Sequence, residues 1–147
     1  MSAVLDVESL LAESLAPGRP VAARDRKPTV LLASPMPTVR ESLGTALESH
    51  GYRVRLAETG YDVAAWIESE AAFDAAVLDD RLTPTDGLQL AADLHRQSPA
   101  TAIVLLADRP SLWRRWRAKR TGVAEVLPSR TDGARLISSL RAALSPA

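Results

Sequence analysis

Two hydrophobic periods alternate along this chain. Thr29-Val-Leu-Leu-Ala33 is a continuous apolar run of strand length. Thr38 to His50 then repeats Val39, Leu43, Ala46 and Leu47 at helical spacing, and Gly51 stops it. Arg53-Val-Arg-Leu-Ala57 alternates as a strand, and Gly60 to Glu70 follows as a helix with Val63, Trp66 and Ile67 inward. Phe73 to Leu78 reads as a buried strand, Asp86 to Gln97 as a helix closed by Ser98-Pro99, and Thr101 to Leu106 as another buried strand. Asp108 is placed to cap a helix from Arg109 to Arg120, with Pro110 in its first turn and Gly122 at its stop. Glu125-Val-Leu127 is a short strand and Thr131 to Leu144 the last helix. Short connections between alternating strands and helices predict an α/β fold, a doubly wound five-stranded parallel sheet with helices on both faces. In such a sheet, function collects at the carboxyl ends of the strands.

The first residues have a different texture. Residues 1–17 carry Val4, Leu5, Val7, Leu11 and Leu15 at helical spacing, with Ser2 as N-cap and Pro17-Gly18 as the stop. A linker with Arg24, Arg26 and Lys27 leads to the first strand. The expected organisation is therefore an amphipathic helix and linker over 1–27 and a single domain over 28–147. A helix this short is marginal alone, and residues 2–16 are the candidate element for docking a protein partner.

Composition narrows the chemistry. A hydrophobic content of 46% supports a core, and the absence of cysteine removes disulfides and thiolate metal sites. His50 and His95 are far apart in the chain, against a histidine metal or acid–base site. No run approaches the roughly 20 apolar residues of a membrane span. The N-terminus lacks the basic flank and compact apolar block of a signal peptide. A cytoplasmic, non-enzymatic protein is expected.

Charge adds one strong feature. Lys+Arg 18 balance Asp+Glu 18, yet Arg109 to Arg120 holds six basic residues, two tryptophans and no acid. Arginine forks suit phosphate, and tryptophan or guanidinium planes suit flat rings. The segment is thus a candidate site for a guanine nucleotide bearing phosphates. On a helix, Trp113, Trp116, Arg117 and Arg120 share one face. Trp113 or Trp116 is the expected stacking platform, with at least one of the two expected to pack on the sheet. Arg109, Arg114, Arg115, Arg117 and Arg120 would meet phosphates or guanine edges, and Asp108 would accept from the guanine N1 and N2 donors. Arg24, Arg26 and Lys27 are accessory cations that could close over the ligand. Competing readings are a solvated helix face and a contact to an acidic protein. Nucleic acid is not expected as a partner, because one basic helix lacks a second recognition element.

The motifs from Pro28 onward resemble the receiver domains of two-component response regulators. Val30-Leu-Leu-Ala-Ser-Pro-Met-Pro37, with Arg40 and Leu43, is similar to the family's first strand and acidic turn. Phe73 to Leu88 is similar to the third strand, with Asp79 at the phosphoacceptor position and an Asp86-Gly87 loop after it. Ile103 to Leu106 and Gly122 to Leu127 match strands four and five. The resemblance also exposes departures. Ser34 and Pro35 stand where two metal-holding acids are expected, and Ala107 replaces the switch hydroxyl. Val126 replaces the switch aromatic, Ser129 the lysine and Arg130 the proline that follows it. This pattern implies a pseudo-receiver without Mg²⁺, with Asp79 a vestigial phosphoacceptor, and with Asp79 and Asp80 as ordinary strand-end carboxylates. The basic segment takes the place of helix four, which with strand five and helix five forms the output face of receivers. An arginine-rich fourth helix is similar to CheY-like cyclic-di-GMP effectors. That likeness implies cyclic di-GMP as ligand, and a flagellar motor switch component or surface-attachment machinery as protein partner. A ligand-free adaptor and a phospho-receiver of unusual chemistry are the alternatives.

Overall fold

The computed structural model describes residues 27–145. The expected helix over 1–17 and the cations Arg24 and Arg26 lie outside these residues. Five parallel strands, β1 (Thr29–Ala33), β2 (Arg53–Ala57), β3 (Ala75–Asp79), β4 (Ala102–Leu106) and β5 (Glu125–Leu127), form one sheet in the order β2-β1-β3-β4-β5. The helices between and after them are α1 (Pro37–Ser49), α2 (Gly60–Glu68), α3 (Gly87–Gln97), α4 (Leu112–Arg120) and α5 (Gly133–Leu144).

Successive residues of a strand point to opposite faces, and here both faces are covered. Leu31, Ala76, Leu78, Ile103 and Leu105 pack with Val63 of α2, Leu90 and Leu94 of α3, and Ala118 of α4. Val30, Leu32, Val77, Val104 and Leu106 pack with Leu43 and Leu47 of α1 and Leu136 and Leu140 of α5. Continuous apolar runs are the expected signature of strands buried on both sides. Trp66 meets Phe73 edge-on at 5.5 Å at the margin of the first layer. Because β1 pairs with both β2 and β3, the winding reverses beside β1, and a crevice opens at the carboxyl ends of β1 and β3.

Helix starts explain where the boundaries differ from expectation. Asp86 and Asp132 cap α3 and α5 from outside, accepting from the amides of Gln89 and Arg135. Thr59 and Asp62 form a reciprocal capping box on α2. The basic helix is shorter than expected. It begins at Leu112, and Ser111, not Asp108, caps it by accepting from the Arg114 amide at 3.0 Å. The cause is Pro110. A residue preceding proline is disfavoured in the right-handed helical region, so the helix does not start at Arg109, which takes a positive φ of 47°. Asp108 and Arg109 therefore belong to the β4–α4 loop.

Candidate functional site

The crevice at the strand ends centres on Asp79, whose side chain is wholly buried. Arg40 braces the β1–α1 loop, donating to the Ser34 carbonyl at 2.7 Å and to Glu58 at 3.0 Å. Ser34 Oγ then donates to Asp79 Oδ2 at 2.7 Å. Arg81 turns back onto the same carboxylate. Its amide and Nε donate to Oδ1 at 2.9 and 3.0 Å, and Nη2 donates to Oδ2 at 2.8 Å. Gly87 permits this loop to close, since a Cβ there would lie 2.6 Å from the Asp79 carbonyl oxygen. Asp80 is also paired: Arg114 reaches across from α4, with Nε to Oδ2 at 2.8 Å and Nη2 to Oδ1.

Asp79 and Asp80 are thus not ordinary strand-end carboxylates, as the sequence reading had them. Each faces an arginine fork, the bidentate geometry that makes such pairs strong. Burial, the largest influence, pushes the Asp79 carboxyl up. The Arg81 guanidinium and amide, the Ser34 hydroxyl and the Arg81 charge together outweigh it and hold the group below the usual carboxylate range. The hydrogen bonds to Asp79 raise the Arg81 guanidinium against its own partial burial, and the charge of Asp108 adds to this. Arg81 was missed in the sequence. Its position two residues past an acid is the only local signal, and nothing in the pattern says that it folds back.

Ala107 and Val126 are buried, and Ser129 is buried with a hydroxyl that has no hydrogen-bond partner. Arg130 is exposed beside it. Ser34 and Pro35 stand where two metal-holding acids would be needed, and both oxygens of Asp79 already accept hydrogen bonds from Ser34 and Arg81.

The basic helix forms the second cluster. Only Ala118 of α4 is buried. Trp113 and Trp116 are 59% and 56% exposed, so neither packs on the sheet, contrary to expectation. Ala118, not an indole, is the residue of α4 that faces the core. Each indole instead meets an arginine one turn on. Arg117 Cζ lies 5.3 Å from the Trp113 ring centroid, and Arg120 Cζ 5.0 Å from that of Trp116. Such i, i+4 cation–π pairs order long side chains on an exposed face. Trp113, Arg114 and Arg117 line a groove of about 310 Å³ shared with Asp86, Gln89 and Leu88 of the α3 side.

The structure therefore brings together Trp113, Arg114 and Arg117 in the groove, with Trp116, Arg120 and Arg115 further along the same exposed helix. It does not bring Asp108 there; Asp86 is the carboxylate that lines the groove. Arg109 lies off the helix, and Lys27 is exposed at the start of the described residues. Arg114 is not free to read a ligand, because Asp80 holds its fork. Lys119 donates to the Ala124 carbonyl at 2.9 Å and braces the turn before β5.

A five-stranded parallel sheet of this order, with a buried aspartate closing β3, defines the class: a CheY-like receiver fold. Residues 30–141 match the response regulator receiver domain, and the chain belongs to that family. It is 33% identical over 106 residues to the response regulator MprA of Mycolicibacterium vanbaalenii, covering 72% of this chain and 46% of that protein. The chain thus spans about half the length of the curated relatives it matches. Among solved structures, a CheY-like receiver domain protein from Methanospirillum hungatei superposes with TM-score 0.75 at 21% identity, covering 80% of this chain and 94% of that one. The receiver domain of an HD-domain protein from Pseudomonas fluorescens gives 0.73 at 27% identity, covering 81% and 95%. Receiver domains are signalling modules. Among the described residues, no helix is long and apolar enough to cross a membrane.

Proposed function

We propose that this receiver domain is a non-enzymatic, cytoplasmic effector that binds cyclic di-GMP on α4 and is not controlled by phosphorylation. The observation that carries the reading is the pair of exposed tryptophan–arginine stacks, Trp113–Arg117 and Trp116–Arg120. Each offers a flat platform beside a fork of donors, which is what a guanine with a neighbouring phosphodiester requires. Stacking contributes roughly 1–3 kcal/mol per base and a bidentate arginine–guanine pair about 1–3 kcal/mol. Two of each total about 4–12 kcal/mol before the cost of ordering, a range whose upper part is needed for the roughly 8 kcal/mol of micromolar binding. Arg115, Arg117 and Arg120 supply the forks, and Asp86 takes the role first given to Asp108.

The Arg81 fork supports the other half of the reading. A guanidinium supplies internally the positive charge that Mg²⁺ and lysine would bring to Asp79. The donor set left over does not fit a hard divalent cation, which takes several oxygen ligands. Ligand on α4 would mask or order the output face and so switch docking to a protein partner. If the likeness of the arginine-rich α4 to CheY-like cyclic-di-GMP effectors holds, that partner belongs to the flagellar motor or the surface-attachment machinery.

Isothermal titration calorimetry with cyclic di-GMP, beside GTP, cyclic di-AMP and a guanine alarmone, tests the ligand. Selective low-micromolar binding, lost in Arg115→Ala/Arg117→Ala, is expected. Absence of binding to any of them overturns it. Acetyl phosphate or beryllofluoride with Mg²⁺ tests the second half, and a stable adduct on Asp79 would refute it. A second reading rests on Leu112, which is 87% exposed next to both indoles. A nucleotide has no use for it, whereas an acidic partner protein with an apolar spot does. This is the ligand-free adaptor.

A further inference from the structure

On the opposite side of Asp79 from α4, the start of α1 and the β5–α5 loop enclose a cleft of about 380 Å³. Arg130 lines it together with Arg81, whose charge is paired with Asp79, and no acidic residue is among its lining. Arg81 commits Nε and Nη2 to Asp79, but its side chain is 42% exposed, and Nη1 stays outside that fork. Ser129 lines the same cleft. It is 5% exposed, and its buried hydroxyl has no partner, a state that costs about 1–3 kcal/mol unless something fills it. The third element is α1 itself. This helix of 13 residues starts at Pro37, has Met36 before it with no side-chain cap, and carries no acid in its first turn. Its positive end therefore faces the cleft region without a compensating charge.

We propose that this cleft is a noncovalent binding site for a phosphate monoester dianion. The ligand is held by Arg130, Arg81 Nη1, the Ser129 hydroxyl and the first turn of α1 at Thr38. A carboxylate has two oxygens to offer this set of donors; a phosphoryl group has three terminal oxygens and a second charge. Met36 and Val39 add apolar wall, and the cleft exceeds what a bare oxyanion fills, so an organic phosphate uses it more fully. No bond to Asp79 forms. The site is independent of the ligand proposed for α4.

The test is an NMR titration of the ¹⁵N-labelled full chain at fixed ionic strength with phenyl phosphate, inorganic phosphate and benzoate. Saturable shifts at Thr38, Ser129, Arg130 and Thr131 are expected with the two phosphates and not with benzoate, while α4 signals stay in place. Tighter binding of phenyl phosphate supports an organic monoester; equal or weaker binding overturns the monoester and leaves free phosphate as the ligand. Arg130→Ala and Ser129→Ala should each weaken binding about tenfold or more. Both lie at a loop, so the folded spectrum serves as its own control. No saturable shift at these residues, equal response to benzoate, or undiminished binding in Arg130→Ala overturns the proposal. Cyclic di-GMP added to the same sample should move α4 signals instead, which separates the two sites.

Discussion

Replacing Arg81 by methionine should reverse the pH dependence of stability as well as lower it. Asp79 is wholly buried and receives two side-chain hydrogen bonds from Arg81, at 3.0 and 2.8 Å. Removing one partner of a buried pair costs about 3–5 kcal/mol. Arg81 is 42% exposed, so water reaches the vacated place, and the loss at pH 7 falls to about 2–3 kcal/mol. With a urea slope of roughly 2 kcal/mol/M, the unfolding midpoint drops by about 1 M. In the parent protein the Asp79 carboxyl lies below its ordinary 3.8. The stability it contributes is therefore fully present above that value and is lost as pH falls through the folded value. In Arg81→Met, burial is the dominant influence, and the carboxyl rises above its ordinary value. Its contribution is then most favourable in acid and is lost as pH rises from about 4 toward neutrality. Urea unfolding of both proteins at pH 4.5, 5.5 and 7 would show the variant closing the gap as the medium is acidified. A loss under about 0.5 kcal/mol at pH 7, or a gap that widens in acid, would refute the assignment of Arg81 as the counter-charge of Asp79.

Trp113→Ala and Trp116→Ala should each weaken cyclic di-GMP binding by about 5- to 100-fold in calorimetry, with unchanged circular dichroism, because both indoles are more than half exposed. Arg114→Ala should do the opposite: stability falls by about 1–2 kcal/mol through the loss of the Asp80 pair, while ligand affinity changes less than in Arg117→Ala. Gly122→Ala should cost about 2–3 kcal/mol in urea unfolding, since Gly122 sits at φ 99° and a Cβ there would lie 2.4 Å from the His95 ring.

The architecture was legible because its cause is local and repeated. Apolar runs such as Val30 to Ala33 and Ile103 to Leu106 admit strands buried on both faces, and the helices between them carry one apolar face each. The Asp79 and Asp86-Gly87 positions were readable only through the likeness of Phe73 to Leu88 to the receiver motif; the close approach that leaves no room for a Cβ at 87 is seen in the fold alone. Helix starts were less so. Asp108 was the expected cap of the basic helix, and in the fold Arg109 turns out of the helix at φ 47° and Ser111 caps it instead.

Tertiary structure alone decided which charges are free. By sequence Arg114, Arg115, Arg117 and Arg120 are equivalent members of one basic run. Packing α4 against the sheet sets Arg114 against Asp80, 34 residues away in the chain, and leaves the others outward. The same holds at the strand ends. The chain determines that Asp79 closes β3, but not that Arg81 folds back onto it or that Ser34 reaches it across 45 residues. Nor does it determine that Asp86, rather than Asp108, lines the groove beside Trp113. Periodicity reports which face of an element seeks the core. It carries no information on which polar groups meet once the elements are stacked, because that depends on the register and crossing of helices that contact each other only in the folded state.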